Sequence, residues 1–468
     1  MKIYFIGIAG AGMHSLALYL SDAGHDIGGS DPGASEAVCD FWRQRNLEIH
    51  REQRPENIQG YDLVVYSAAV PATNPERKAA QLKGIACSRG EALARFANAH
   101  RGSIAICGTH GKGTTAGAVL KILSDAGLRV SDILGAVPIG CRQPSLCVPN
   151  ADFLVCEVDE SDRTNLCHRP AYLLINNVEE DHLNVYRDLD DIVESFAHHV
   201  CSCLETGTKV VIHYAGIGAP KLYALLKDRP EIAWVAREGV LESPALAYDD
   251  SQIDAFGRTQ LVFREKSGLQ FAVTPRLRGV ANAQNIASAL CLARCIGLSI
   301  GQIIPPIERY DGLKDRCQIQ HFGDVQLVTD YASHPTCVQN DIAWVSQCAK
   351  RVIAIYHPYR YSLMNCHWHA LSQKLAVADI VLLAPFDGAG EHPIEGLCSE
   401  NLAERIQREN DRCRAFAYRS FSDLESAANT MIQHGDCLIV FGGGFLFEMG
   451  RRIVSGFEPH QTVKPNPA

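Results

Sequence analysis

The eighteen residues from Ser103 to Leu120, SIAICGTHGKGTTAGAVL, dictate a local fold before anything else about the chain is known. Ile104 to Cys107 is apolar and reads as a short buried strand. Gly108-Thr109-His110-Gly111-Lys112-Gly113-Thr114 follows as a glycine-studded loop, and Thr115 to Leu123 repeats Ala, Val, Leu and Ile at helical spacing. Strand, loop and helix in that order bring backbone N–H groups and the positive end of a helix to one point, the geometry that holds a phosphate. Lys112 adds a point charge there, and the hydroxyl of Thr114 or Thr115 is within reach of a magnesium ion. The spacing is not the Walker pattern, because only two residues separate Gly108 from Gly111. An ordinary tight strand-to-helix turn explains the same glycines equally well.

A chain of 468 residues exceeds what one hydrophobic core organises, so several domains are expected. The hydrophobic fraction of 47% and charged fraction of 21% are those of a soluble globular protein. A net charge of −9 argues against general affinity for nucleic acid or an anionic membrane. Met1 runs almost directly into a strand pattern, with no basic leader and no apolar stretch of bilayer length, so a cytoplasmic location is expected. The 18 cysteines are scattered through apolar runs such as those at Cys107, Cys156 and Cys437 and show no paired C-x-x-C spacing. Reduced core thiols are the expectation, rather than zinc ligands or disulfides.

Taken from the N-terminus, residues 2 to 8 read as a strand, Gly7-Ile8-Ala9-Gly10-Ala11-Gly12-Met13 leads into a helix ending near Gly24, and a second strand runs into Gly29-Ser30-Asp31. This is a βαβ opening with glycines where a diphosphate would lie. Its G-x-x-G-x-G spacing departs from the dinucleotide pattern, favouring a nucleotide other than NAD, or a Rossmann-like domain that binds none. Strands follow at Asp62 to Tyr66, before Ser67, and at Gly84 to Cys87, with Arg89 and Glu91 at the next helix start.

Beyond the phosphate loop, two further apolar strands end in charge. Phe153 to Cys156 delivers Glu157-Val158-Asp159-Glu160-Ser161-Asp162, and Tyr172 to Ile175 delivers Asn176-Asn177-Val178-Glu179-Glu180-Asp181-His182. Carboxylates so crowded repel one another unless solvent or a cation offsets them, so a solvated acidic loop and a metal site are both open. A helical stretch follows to Leu204, then a strand at Lys209 to His213, then short alternating strands over 231 to 275, in the manner of a peripheral sheet. Asn282 and Asn285 open an alanine-rich helix three residues apart, where both amides can face one ligand, or one of them can cap the helix.

A cluster of prolines and charges from Pro305 to Arg316 marks a second boundary. After it, apolar strands at Val325 to Thr329, Val352 to Tyr356, Ile380 to Ala384 and Cys437 to Phe441 alternate with helical patterns and end in Asp330-Tyr331-Ala332-Ser333-His334, His357-Pro358-Tyr359-Arg360, Asp387-Gly388 and Gly442-Gly443-Gly444. The expectation is an α/β chain of three domains, at 1–100, 101–312 and 313–468, with polar residues at the carboxyl ends of parallel strands. Only the last few residues read as disordered.

These residues resemble the Mur ligase family along nearly the whole chain. The glycine motif ending at Met13, Gly29-Ser30-Asp31, Asn74-Pro75-Glu76, Gly108 to Lys112, Glu157 to Asp162, Asn177 to His182, Asn282 with Asn285, Asp330-Tyr331, His334-Pro335-Thr336 and Gly388-Ala389-Gly390-Glu391 stand in the family's order. The branch that joins L-alanine to UDP-N-acetylmuramate is the nearest. The resemblance implies a Rossmann-like N-terminal domain, a P-loop-type central ATPase domain and a Rossmann-like C-terminal domain. It also implies a reaction in which ATP converts a carboxylate to an acyl phosphate that an amine then attacks. It puts Lys112 on the γ-phosphate and Thr114, Glu157 and His182 on magnesium. ATP is expected along Gly108 to Thr115, with Asn282, Asn285, Arg316 and Asp330. The UDP-sugar is expected near Gly10, Gly12, Met13, Ser30, Asp31 and Ser67, and the amino acid near Tyr331, Ser333, His334 and Arg360.

Four departures from close relatives are informative. Gly113 replaces a threonine after the loop lysine, Ala281 a histidine, Ala332-Ser333 a glycine-histidine pair, and Leu363 the second arginine of a Pro-His-Arg-x-x-Arg stretch. Losing one arm of a two-arginine clamp removes a charge-assisted bond worth roughly 1.5 to 3 kcal/mol, enough to change the acceptor. The acceptor therefore need not be L-alanine. Val137-Pro138 and Thr115-Ala116-Gly117 point to the branch that recycles a tripeptide, and a paralogue using another carboxylate or amine is also open. The rivals from other classes are a decayed nucleotide-binding protein and, from domain one alone, an NAD oxidoreductase. Finally, some relatives use a carbamylated lysine at the metal site. Lys121 is the only lysine between Lys112 and Lys209, so nothing shortly after His182 can play that part.

Overall fold

A computed structural model describes residues 1–253 and 258–457. The expectation of disorder at the extreme C-terminus lies outside the described residues. Three sheets carry the chain, each built around strands whose apolar runs are buried on both faces, as helix-covered parallel strands require.

In the first, β1 (Lys2–Ile6), β2 (Asp26–Ser30), β3 (Leu63–Tyr66) and β4 (Ala86–Ser88) pair in parallel in the order β2-β1-β3-β4. Gly7 takes φ +85° where the chain leaves β1, and the helix Ala11–Asp22 follows. Helix Arg89–Asn98 begins with a capping box between Ser88 and Glu91, as Arg89 and Glu91 at a helix start suggested.

The second sheet contains β5 (Ser103–Cys107), β6 (Val130–Ile133), β7 (Ser145–Leu146), β8 (Phe153–Glu157), β9 (Tyr172–Ile175), β10 (Lys209–His213), β11 (Ile232–Arg237), β12 (Leu246–Ile253), β13 (Thr259–Glu265) and β14 (Gln270–Val273). The order is β14-β13-β12-β11-β10-β9-β5-β8-β6-β7, parallel from β12 to β6 and antiparallel at both ends. The short strands expected over 231 to 275 thus extend the central sheet instead of forming a separate one. β5 lies between β8 and β9, so segment 108–114 and both acidic strand ends emerge side by side. That adjacency, which no spacing in the sequence states, makes the site.

The third sheet, β15 (Gln318–Phe322), β16 (Val325–Asp330), β17 (Arg351–Tyr356), β18 (Ile380–Leu383), β19 (Arg414–Ala417) and β20 (Asp436–Phe441), runs β15-β16-β20-β17-β18-β19 with only the β15–β16 hairpin antiparallel. Pro305 and Pro306 do not break the chain at the boundary. They sit inside the helix Ile300–Glu308, beyond its first turn, so each lacks the N–H that would bond the carbonyl four residues earlier, and the helix ends within two residues of Pro306.

The first two sheets share a continuous apolar core, and Ser145 Oγ donates to Ser15 O at 2.8 Å across the seam. Gly90 is needed there, because a Cβ at this position would lie 1.7 Å from Thr164 Oγ1. All 18 cysteines are free thiols. Among the described residues no helix is long and apolar enough to cross a membrane.

Candidate active site

The loop after β5 turns tightly because Gly108 and Gly111 take φ +127° and +77°. Helix Lys112–Asp125 then starts at Lys112 with Gly111 as its N-cap, earlier than the apolar spacing alone indicated. Asn177 from the end of β9 fixes the loop: its Oδ1 accepts from His110 N at 3.0 Å and its Nδ2 donates to His110 O at 2.9 Å. The two candidate hydroxyls separate here. Thr115 is fully buried and accepts from Asn176 Nδ2 at 2.8 Å, whereas Thr114 lines the cavity.

The Lys112 side chain folds back into its own loop. Its Nζ donates to Gly108 O at 2.8 Å, to Thr109 O at 3.3 Å and to Glu160 Oε2 at 2.9 Å, with Asp159 at 4.0 Å. Burial alone would lower its pKa; Glu160, Asp159 and Glu157 together outweigh that and hold it protonated. Burial pushes Glu160 up to about 8 even against the pull of Lys112. Asp159 goes the other way, to about 2, because Lys112, Arg89 and His182 overcome its burial.

His182 follows β9 at φ +53°, a left-handed backbone unusual for a residue with a side chain. Its Nε2 lies 3.7 Å from both Glu160 Oε1 and Asp181 Oδ2. The ligating atoms of Asp159, Glu160 and His182 all lie within 4.8 Å of one another. Glu157 Oε2 accepts from Gly135 N at 3.0 Å and faces Gly113, where a Cβ would stand 3.1 Å away. A side chain at position 113 would therefore crowd Glu157. Lys112, Glu157 and His182 are thus gathered at the ends of three adjacent strands, but the carboxylate in direct contact with Lys112 is that of Glu160.

Opposite this cluster, Asn282 and Asn285 are buried on helix Val280–Ile296. Gly279 is the cap, and Asn282 Nδ2 donates to Arg278 O at 2.9 Å, which excludes the capping role for either amide. Both line a cavity of about 240 Å³ together with Thr109 to Thr114, Glu157, Arg316, Asp330, Tyr331, Ser333 and His334. Every residue expected at the ATP and metal sites except Gly108, Thr115 and His182 faces this space. A larger cavity of about 380 Å³ lies in the N-terminal domain, and the arginines in its wall are paired with carboxylates, Arg43 with Asp40, Arg51 with Glu36 and Arg54 with Glu52.

The remaining expected residues are more dispersed. At the N-terminal crest, Asp31 accepts from Ala9 N at 3.0 Å and Gly33 N at 2.9 Å, Gly10 caps its helix, Gly12 abuts Arg89, and the Ser67 hydroxyl accepts from Ala69 N at 3.3 Å. Met13 and Ser30 are buried, with the Ser30 hydroxyl bonded to the buried Glu76. Arg360 lies outside the cavity, at the start of helix Tyr361–Leu375, stacked on Tyr359 at 5.7 Å and acting on Glu391.

Two carboxylates of the acidic segment after β9, and Asp341, which the sequence did not single out, take roles no residue reading assigned them. Glu179 accepts from Thr336 Oγ1 at 2.6 Å, Asp181 meets His367 Nε2 at 3.4 Å, and Asp341, paired with Asp330, is pushed up by burial. Burial would lower His367, yet its bond to Asp181 helps raise it to about 9.

Residues 2–101 match the model described as "Mur ligase family, catalytic domain", and residues 106–293 match "Mur ligase middle domain". A UDP-N-acetylmuramate–L-alanine ligase from Sulfurihydrogenibium sp. (strain YO3AOP1) is 30% identical over 454 residues, covering 96% of each chain. Among solved structures, a UDP-N-acetylmuramate–alanine ligase from Thermotoga maritima superposes with a TM-score of 0.77 at 19% identity, covering 97% of this chain and 99% of that one. A murein peptide ligase from Psychrobacter arcticus superposes at 0.72 and 23% identity, covering 97% and 98%. Three sheets, a phosphate loop between two acidic strand ends, and relatives that align along nearly the whole length agree: this chain belongs to the Mur ligase family of ATP-dependent ligases.

Proposed function

We propose that the chain joins L-alanine to the carboxylate of UDP-N-acetylmuramate in the cytoplasm, with ATP converting that carboxylate to an acyl phosphate. The observation that carries this reading is Lys112: a largely shielded ammonium, its side chain 11% exposed, at the mouth of β5, in a cavity whose opposite wall belongs to the C-terminal sheet. Nucleotide and acceptor would thus meet over one cation. The donor set fits Mg²⁺, since Glu157, Thr114 and the nearby Asp159 and Glu160 supply oxygen and His182 a single nitrogen. Bound magnesium would offset charge on the phosphoryl oxygens.

The chain's own residues do the rest. Lys112 and the N–H groups at the start of helix Lys112–Asp125 hold the transferring phosphoryl group as its charge develops. Asn282 and Asn285 orient the nucleotide from the opposite side. Tyr331, Ser333 and His334 border the acceptor end. The test is mass spectrometry of products from UDP-N-acetylmuramate, ATP and a panel of amino acids and tripeptides. An L-alanine adduct alone supports the proposal, a tripeptide adduct moves the chain to the recycling branch, and ATP binding without any adduct overturns it.

A further inference from the structure

Five side chains, His110, Glu179, Asp181, His334 and His367, cluster between the central and C-terminal domains and offer ligand atoms at metal-binding distances. Their hydrogen bonds argue against an ion. The Asn177 amide is oriented by accepting from His110 N, so its Nδ2 donates to His110 Nδ1 at 3.1 Å and uses that lone pair. The ring proton then sits on Nε2, facing Glu179 Oε1 at 3.4 Å. His334 is also committed, with Nδ1 accepting from Thr336 N at 3.3 Å and Nε2 donating to Glu180 O at 3.3 Å.

What the cluster does instead is grip one loop. The segment from Glu179 to His182 takes Thr336 and His334 from one end of helix Pro335–Val345, and His367 from the middle of helix Tyr361–Leu375. His367 is nearly buried, and its ring meets that of His334 edge-on at 4.9 Å. The carboxylate it reaches has a second duty. Asp181 Oδ1 also accepts from His182 N at 2.7 Å, and Oδ2 lies 3.7 Å from His182 Nε2. A left-handed backbone at a non-glycine residue is strained and persists only where its surroundings hold it. Here Asp181 supplies that hold.

We propose that His367 is a positioning residue: by fixing the Asp181 carboxylate from the C-terminal domain, it sets the backbone and side chain of His182, so the phosphoryl end of the site is in order only while that domain is docked. The inference rests on the ligase reading given above, and its test has one arm that does not need turnover. His367→Leu removes the N–H donor, and His367→Gln keeps one. The leucine variant is expected to lose about tenfold or more in kcat with KM for the UDP-sugar changed less than about twofold, and glutamine to stay within about threefold of the parent. In the unliganded protein, amides of residues 178 to 186 are expected to exchange at least about tenfold faster in the leucine variant, with protection restored by glutamine. Equal loss in both variants, or unchanged exchange in this loop, overturns the proposal. A parent protein that forms no amide overturns the proposed reaction instead, and the exchange arm still decides the role of His367.

Discussion

Lys112 Nζ and Glu160 Oε2 stand 2.9 Å apart, with the carboxylate buried and the ammonium side chain 11% exposed, and in the proposed reaction the same ammonium meets a phosphate. The pair therefore has separable roles in stability and in chemistry. Above about pH 8, where Glu160 is ionised, Lys112→Met leaves its buried carboxylate without a cation, and breaking a buried pair from one side costs roughly 3–5 kcal/mol. It should also lower kcat by about 10²- to 10³-fold, the usual effect of removing one donor to a developing oxyanion. Adding Glu160→Gln to Lys112→Met should recover most of the stability and none of the activity. Denaturation midpoints and turnover of the three proteins check both parts.

Gly111 tests the phosphate loop independently of charge. Its φ of +77° and the 2.2 Å that would separate a Cβ from Asn285 Oδ1 leave no room for a side chain. Gly111→Ala should weaken ADP binding by about tenfold or more, corresponding to roughly 1.4 kcal/mol. Asn285→Ala in the same background relieves the contact but leaves the backbone strain and removes an amide proposed to orient the nucleotide, so calorimetry should find no recovery of affinity.

What the sequence made legible follows from burial. β5, β8 and β9 are continuous apolar runs because helices cover both faces, and their ends at Cys107, Glu157 and Ile175 fall within a residue of where the runs stop. β15 and β19 were missed because edge strands mix polar and apolar residues without a clear period. Four carboxylates stand in the six residues from Glu157, the last of β8, to Asp162, and nothing local says which one turns inward. Glu160 does so because Tyr186 OH donates to its backbone carbonyl at 2.8 Å and Lys112 meets its side chain, and both are tertiary contacts. His367 lies 186 residues from Asp181, so a lone histidine on a helix carried no signal of their contact.

The metal site should work without a carbamylated lysine. Among the described residues Lys112 is the only lysine lining the cavity, and the nearest lysines in sequence on either side of His182 are Lys121 and Lys209. Initial rates should be the same in bicarbonate-free buffer and in buffer with added bicarbonate. A rate that rises with bicarbonate would show that a lysine does supply a metal-site carboxylate.

Asp132 on β6 should make stability fall as pH rises. It is nearly buried, and burial alone pushes its carboxyl up from 3.8 to about 7. The folded chain therefore keeps this proton up to about pH 7, whereas the unfolded chain releases it near 3.8. Between those values the native state binds more protons, so raising the pH favours unfolding. At about 1.36 kcal/mol per pKa unit, a shift of roughly three units costs at most about 4 kcal/mol once the pH exceeds 7. Asp132→Asn does not titrate and keeps nearly the same shape. Its thermal midpoint should move upward relative to the parent as the pH is taken from 4 to 8, with most of the change between 5 and 7. An offset that stays constant across that range would mean the carboxyl ionises in the folded protein without penalty.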